Sequence, residues 1–363
     1  MSKMKYYKLD NILKKEAIYN IIFGERSNGK TYAVLEYGLR QYLKGKGQIG
    51  IVRRYKEDII GRRAAEVWTS INETGLVRDL TDGEYEAIHY WSGKYFLCTY
   101  DGEGKAIYND DDCIGYTFSL SDTEHNKSIS YPKITTIFFD EFLAKKFYFP
   151  DEFVLFMNTV STIVRNRTNV KIFMVGNTVN KYCPYFQEMG LNHILKMKQG
   201  TIDEYTYGDS KLKVAVEYCA TLKHQKKNNY YFAFDNPKLK MITSGAWELD
   251  LFPHLPYKYK PKEIIYTFFI VFHGIYQGEV INTDEGIFIY IHIKTTELKA
   301  KPEDLVYTLE PSYSANYSEN ILKPVNRVQK KILVMFQTHK VFYQNNDVGN
   351  AIQNYIEVCK RNF

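Results

Sequence analysis

Gly24-Glu25-Arg26-Ser27-Asn28-Gly29-Lys30-Thr31 follows the apolar run Ile18-Tyr19-Asn20-Ile21-Ile22-Phe23 and precedes Tyr32-Ala33-Val34-Leu35-Glu36-Tyr37. The first run has the β-branched and aromatic content of a buried strand, and the last begins a helix. The octet is therefore a G-x-x-x-x-G-K-[ST] loop in the strand-loop-helix context that gives this motif its meaning. Gly24 and Gly29 admit backbone conformations that turn the successive N–H groups of Glu25, Arg26, Ser27 and Asn28 toward phosphate oxygens, and the helix N-terminus adds its positive dipole. Lys30 is expected on the β and γ phosphates of ATP, and the Thr31 hydroxyl on Mg²⁺.

Moving outward, the helix ends at Lys44-Gly45-Lys46-Gly47 and a second strand covers 48–54. Residues 58–75 read as helical, 85–117 as β-hairpins around Ser92-Gly93 and Asp101-Gly102, and 134–139 as a buried strand. An amphipathic helix at 151–164 and a strand at 171–176 follow. This alternation predicts an α/β fold with a mostly parallel sheet flanked by helices, to which the hairpins add antiparallel strands. Residues 1–205 are expected to form that domain. Residues 206–258 are polar, rich in Lys and Tyr, and broken by Pro237, Pro253 and Pro256, so a small linker subdomain is expected there. From 259 to 363 three antiparallel strands (264–272, 276–282, 286–293) and helices near 324–337 and 346–360 predict a separate α+β domain.

The 363-residue chain carries a net charge of +6, too modest for its length to announce a nucleic-acid binder. Its five cysteines are scattered with no C-x-x-C pair, and the histidines form no H-x-x-x-H pair, so neither a disulfide framework nor a transition-metal centre is indicated. The N-terminus lacks an apolar signal core, and no run is long enough to span a bilayer; a soluble intracellular protein without a membrane partner is expected.

Hydrolysis needs more than a phosphate loop: a metal ligand and a water-positioning group must stand at the end of a neighbouring strand. Asp140 and Glu141 follow directly on the apolar strand, where adjacent residues project differently, so Asp140 is expected to reach Mg²⁺ and Glu141 to polarise the attacking water. Asn177 ends the next strand, where it could sense the γ-phosphate or simply satisfy the strand end. Arg165 and Arg167 close helix 151–164. Either could cap the helix dipole, or serve as an arginine finger on a neighbouring subunit's ATP, Arg165 being preferred. Arg53, Arg54 and Lys56 end a strand beside the nucleotide edge, with plain surface charge as the alternative.

Taken together, the loop 24–31, the segment Ile51-Val52-Arg53-Arg54-Tyr55-Lys56, the stretch Thr136-Ile137-Phe138-Phe139-Asp140-Glu141-Phe142 and Val164-Arg165-Asn166-Arg167 resemble the DNA-encapsidation ATPases of small protein-primed tailed bacteriophages, the phi-twenty-nine type. The resemblance covers roughly residues 18–190. It implies a terminase-like ASCE (RecA-like) ATPase domain and a homomeric ring, pentameric in the family, docked on a viral portal. That ring would drive double-stranded DNA into a procapsid in the host bacterial cytoplasm. It further implies that Arg165 acts in trans, that Lys56 lies at a subunit boundary, and that the C-terminal domain is an RNase H-like nuclease without its metal-binding acids. In keeping with the last, strand 264–272 carries no Asp or Glu, and Glu279, Asp284, Glu285 and Glu297 read as turn or strand-end residues. A packaging RNA is left open. A helicase or conjugative-type pump, a nuclease-competent terminase and a non-motor nucleotide switch are the alternatives that the residues themselves allow.

Overall fold

The computed structural model describes residues 6–122, 129–144, 148–149, 151–178, 183–220, 252–255, 258–299, 301–309 and 316–361; most of the expected linker subdomain lies outside the described residues. The chain divides into two compact units, the first within residues 1–247 and the second formed chiefly by 248–363.

The first unit is built on β1 (Tyr19–Gly24), β2 (Gln48–Arg53), β3 (Ala87–Trp91), β4 (Lys94–Tyr100), β5 (Ala106–Ile107), β6 (Cys113–Ser119), β7 (Ile134–Asp140), β8 (Lys171–Asn177), β9 (Thr201–Tyr207) and β10 (Leu212–Tyr218). Their order is β3-β4-β6-β2-β7-β8-β1-β10-β9, with β5 on β4. From β6 through β10 neighbours run parallel, whereas the β3–β4–β6 end and β9 are antiparallel. Parallel strands are buried on both faces and read as continuous apolar runs, as Ile134 to Phe139 does. Successive residues point to opposite faces. Phe138 therefore joins Ile22, Ile49, Ile51 and Val175 under Val34, Leu35 and Leu39 of helix Lys30–Leu43. Phe139 faces the other way, stacking 4.9 Å from Phe156 of helix Glu152–Val164 and meeting Tyr185 edge-on at 5.7 Å.

Two expectations are corrected. The stretch 58–75 is not one helix: Gly61–Glu66, Thr69–Glu73 and Leu76–Leu80 are separate short helices, divided at Trp68, which turns into the core, and at Gly75, whose φ of +70° is the left-handed conformation glycine accepts at little cost. The boundary at 205/206 is also displaced, because β10 lies parallel against β1 and β9 pairs with β10, so residues 206–218 belong to the first sheet. As the edge strand, β9 is partly exposed along its length and carries polar residues, so it merges with the polar stretch that follows it in the sequence.

The second unit holds β11 (Ile264–Val271), β12 (Ile275–Thr283), β13 (Gly286–Ile293), β14 (Leu305–Thr308), β15 (Tyr317–Ser318) and β16 (Val341–Tyr343) in the order β15-β14-β11-β12-β13-β16. β11, β12 and β13 form an antiparallel meander, β14 runs parallel to β11, and β15 parallel to β14. Counted from β11, the first five strands lie in the order 3-2-1-4-5, and β16 adds a sixth, parallel to β13. Helix Arg327–Gln337 starts where the Asn326 side chain accepts the Gln329 N–H at 3.0 Å, and with helix Asn346–Arg361 it buries Ile332, Ile352 and Tyr355 against Phe268, Ile270, Ile289 and Ile291.

Glu279 departs from expectation by standing in the middle of β12, buried, on the face away from that core. Tyr259 Oη donates to it at 2.6 Å and Gln277 Nε2 at 2.8 Å, and His292 Nε2 lies at 3.5 Å. Burial pushes the Glu279 carboxyl up, but hydrogen bonds from His292, Tyr259 and Gln277 outweigh it and leave the group below its ordinary range. The bond to Glu279 lifts His292 against its own burial. A raised histidine contributes stability below its unfolded pKa that is lost as pH rises through the folded one; a lowered carboxyl contributes stability above its unfolded pKa that is lost as pH falls. The pair thus contributes most between about pH 4 and 6.5. Melting of the second unit followed against pH should shift down by about 2–4 °C on going from pH 6 to pH 8.5, and His292→Gln should remove most of that shift.

Candidate active site

Parallel strands bring their C-terminal ends to one edge of the sheet, where ligands of such folds bind. Gly24 pairs with Asn177, Asp140 with Val175, and Val52 with Phe139, so the ends of β1, β8, β7 and β2 lie side by side. At this edge is a cavity of about 240 Å³ lined by 27–32, Asp140, Glu141 and 175–177. A larger cleft of about 610 Å³, lined among others by Trp91, Lys94, Phe96 and Tyr108, lies on the hairpin extension and holds none of the candidate residues.

Gly29 sits at the helix N-cap with φ +91°, a conformation that keeps the loop tight. Lys30 is buried, and its Nζ donates to Glu25 O at 2.6 Å, Asn28 Oδ1 at 3.1 Å, Gly24 O at 3.4 Å and Asn177 Oδ1 at 3.4 Å. Burial pushes its ammonium down to about 8, against the pull of Asp140 and Glu25. Thr31 Oγ1 donates to Asp140 Oδ1 at 3.1 Å, joining the loop to the end of β7. Asp140 is buried, and desolvation pushes its carboxyl up while Arg53 opposes the rise. A buried carboxylate beside a hydroxyl is a hard-oxygen pair suited to Mg²⁺, which is held by one or two protein oxygens, water and phosphates. No group of three or more His, Cys, Asp or Glu side chains that could hold a metal is found among the described residues.

Glu141 lies just past β7 with φ +59°, an uncommon conformation for a residue with a Cβ and one that clusters at functional sites. The turn swings its side chain, 64% exposed, away from the core while Asp140 stays inside. Arg53 binds both acids, its Nη2 on Asp140 Oδ2 and its Nη1 3.1 Å from Glu141 Oε2.

Not every candidate converges. Arg26 is exposed and outside the cavity lining. Lys56 is likewise absent from the lining; its Nζ is held 2.7 Å from Asp122 Oδ2, which also raises its pKa. Both were placed at the site because they neighbour it in sequence, and adjacency does not determine direction. Arg165 lies at the opposite end of the sheet. It caps helix Glu152–Val164, its Nη2 donates to Ile129 O at 3.2 Å, and its neighbour Arg167 clasps Pro132 O and Ile134 O, at the start of β7, at 2.8 and 2.6 Å. The length of β7, about 20 Å, separates that point from Asp140. The residues that sequence reasoning missed are Tyr32, in the lining, and Glu152, a buried acid paired with Arg54. An acid at the head of an otherwise apolar helix was the available signal for Glu152.

The class follows from the topology. Strand β8 is inserted between the phosphate-loop strand β1 and the acid-bearing β7, and this is the ASCE arrangement of P-loop α/β domains. Family profiles narrow it: podovirus DNA encapsidation protein (Gp16) matches residues 1–82 and 90–204, more than half of the chain, and the chain belongs to that family. The DNA packaging protein of Bacillus phage phi29 is 30% identical over 189 residues, 51% of this chain and 50% of that protein. The chain thus spans about half the length of the curated relatives it matches. Two solved structures share the fold over nearly the whole chain. The Phi-28 gp11 DNA packaging motor has a TM-score of 0.58 at 17% identity, covering 99% of both chains. The bacteriophage Phi-29 viral genome packaging motor assembly has a TM-score of 0.58 at 20% identity, covering 98% of both.

Proposed function

We propose that this chain is the ATP-hydrolysing subunit of a viral genome-packaging motor that drives double-stranded DNA into a procapsid. The observation that carries this reading is the convergence of Lys30, Thr31, Asp140, Glu141 and Asn177, drawn from the ends of three strands, on one cavity. Membership of the encapsidation family supports the choice of DNA as the cargo.

In this mechanism the loop N–H groups and Lys30 bind the phosphates, which displace the Lys30 ammonium from the carbonyls of Gly24 and Glu25. Asn177, already within reach of Lys30, is placed to sense the γ-phosphate. Thr31 and Asp140 would hold Mg²⁺, which when bound neutralises charge on the β and γ oxygens. Glu141, the exposed acid of the pair, orients the attacking water and takes up its proton. A ring of such subunits, attached to the portal in the host cytoplasm, would grip DNA through its phosphates and not its sequence, so translocation should weaken as salt rises. The second unit is proposed as non-cleaving. Its first strand carries no acid, and its mid-sheet acid Glu279 is engaged by Tyr259 and Gln277. Ring size and any packaging RNA rest on the family alone.

The test is ATP turnover by the full chain with duplex DNA, single-stranded DNA or no DNA, with procapsids present. Turnover stimulated several-fold by duplex over single strands, and lost in Lys30→Ala, is expected. Equal stimulation by single strands would favour a helicase-like motor. No turnover under any of these conditions would overturn the proposal.

A further inference from the structure

Arg53 and Arg54 are adjacent at the end of β2, and strand alternation sends them to opposite faces of the sheet. Arg53 meets the side chains of Asp140 and Glu141. Arg54 is buried on the other face and meets the same dipeptide from behind: its Nη1 donates to Glu141 O at 3.2 Å and its Nη2 to Phe142 O at 2.7 Å. Its fork is fixed by Glu152, which accepts from Nε at 2.8 Å and from Nη2 at 2.9 Å, and Tyr185 Oη donates to Glu152 Oε1 at 2.8 Å. Glu152 is itself 1% exposed, so the pair is sealed from water.

We infer that Arg54, locked by Glu152 and Tyr185, is the positioning residue that holds Glu141 in its left-handed conformation and so aims its carboxylate at the attacking water. A residue with a Cβ stays at φ +59° only where its surroundings over-determine the backbone. Here two guanidinium donors hold the carbonyl of the Glu141–Phe142 peptide and that of the peptide after it, while Phe142 N, the other end of the first of these peptides, donates to Val175 O at 3.2 Å. Lysine cannot replace this fork, because its ammonium is a single point and cannot serve two carbonyls and a bidentate carboxylate in one plane. The inference rests on the proposed role of Glu141 in hydrolysis and extends it to the groups that aim it.

The test uses the full chain and two variants. Arg54→Lys keeps the charge but loses the fork. Arg54→Met combined with Glu152→Leu removes both buried charges and fills the space with apolar side chains, a replacement that buried ion pairs often tolerate. Turnover and binding of a fluorescent ATP analogue are measured for each beside the wild type. In both variants kcat is expected to fall about 10–100-fold, the cost of a misaimed group, while KM and analogue affinity stay within about twofold. Unchanged kcat in either variant would overturn the inference. So would analogue binding lost in step with turnover, because the network would then be only structural. If the wild type does not turn over ATP, the functional reading fails instead, and if it does while the variants match it, only the positioning role is lost.

Discussion

Glu141→Gln is expected to lower ATP turnover by about 10²–10⁴-fold while leaving nucleotide affinity nearly unchanged. The separation follows from where the groups lie. Lys30 and Asp140 are buried and the half-buried Thr31 ties Asp140 to the loop, so they are placed to bind, whereas Glu141 stands outside this network with its carboxylate 64% exposed and in contact with Arg53. Glutamine keeps the volume and one acceptor but cannot take a proton from water. The Arg53 contact sharpens the expectation: removing the charge of Glu141 frees one side of the guanidinium without disturbing its bond to Asp140, so the fold and the Thr31–Asp140 pair should persist. The measurement is single-turnover hydrolysis beside equilibrium binding of an ATP analogue. A variant that binds and hydrolyses at the wild-type rate would remove Glu141 from the catalytic role and leave Asp140 as the acid to examine.

The parts of this site legible in the sequence are those encoded by a strand end and the few residues after it. The octet 24–31 is self-contained, and the acids 140–141 follow an apolar strand that periodicity identifies unaided. Asn177 was legible for the same reason, as the polar stop of β8. What could not be read are contacts that depend on strand order. Nothing local places β10 beside β1, and nothing local brings Arg54 to Glu152, which is 98 positions away. The same limit explains Lys56. Its place after a strand that ends at the site suggested the nucleotide, but the chain turns into a short 3-10 helix at Lys56–Asp58 and the ammonium meets Asp122. In the second unit the meander was plain from its turns. The expected strand 276–282 already has Glu279 at its centre, so its reading as a strand-end residue is inconsistent with the strand itself; what the sequence does not show is that Tyr259 and His292, from other segments, meet it there.

The position of Arg165 makes a trans role testable by complementation. Helix Glu152–Val164 begins beside the acid end of β7 and runs back along the sheet, so Arg165 lies about 20 Å from its own subunit's site, by the length of that strand. Its side chain is exposed, while Arg167, anchored on the carbonyls of Pro132 and Ile134, holds the turn beneath it. An arginine so placed cannot touch the phosphate loop of its own chain, so a catalytic role for it requires a head-to-tail ring in which it meets a neighbour's loop. Arg165→Ala alone should lower turnover by about 10³-fold or more, as loss of an arginine finger does. Lys30→Ala alone should be inactive through loss of binding. Rings assembled from equal amounts of the two variants contain sites that pair an intact Lys30 with a neighbour's intact Arg165, and such sites should restore turnover toward about a quarter of the wild-type rate. Recovery well above either variant alone requires the arginine to come from another subunit. A mixed assembly as inactive as its components, with ring formation verified by mass, would show that Arg165 serves no neighbouring site and that its role is confined to the end of its own helix.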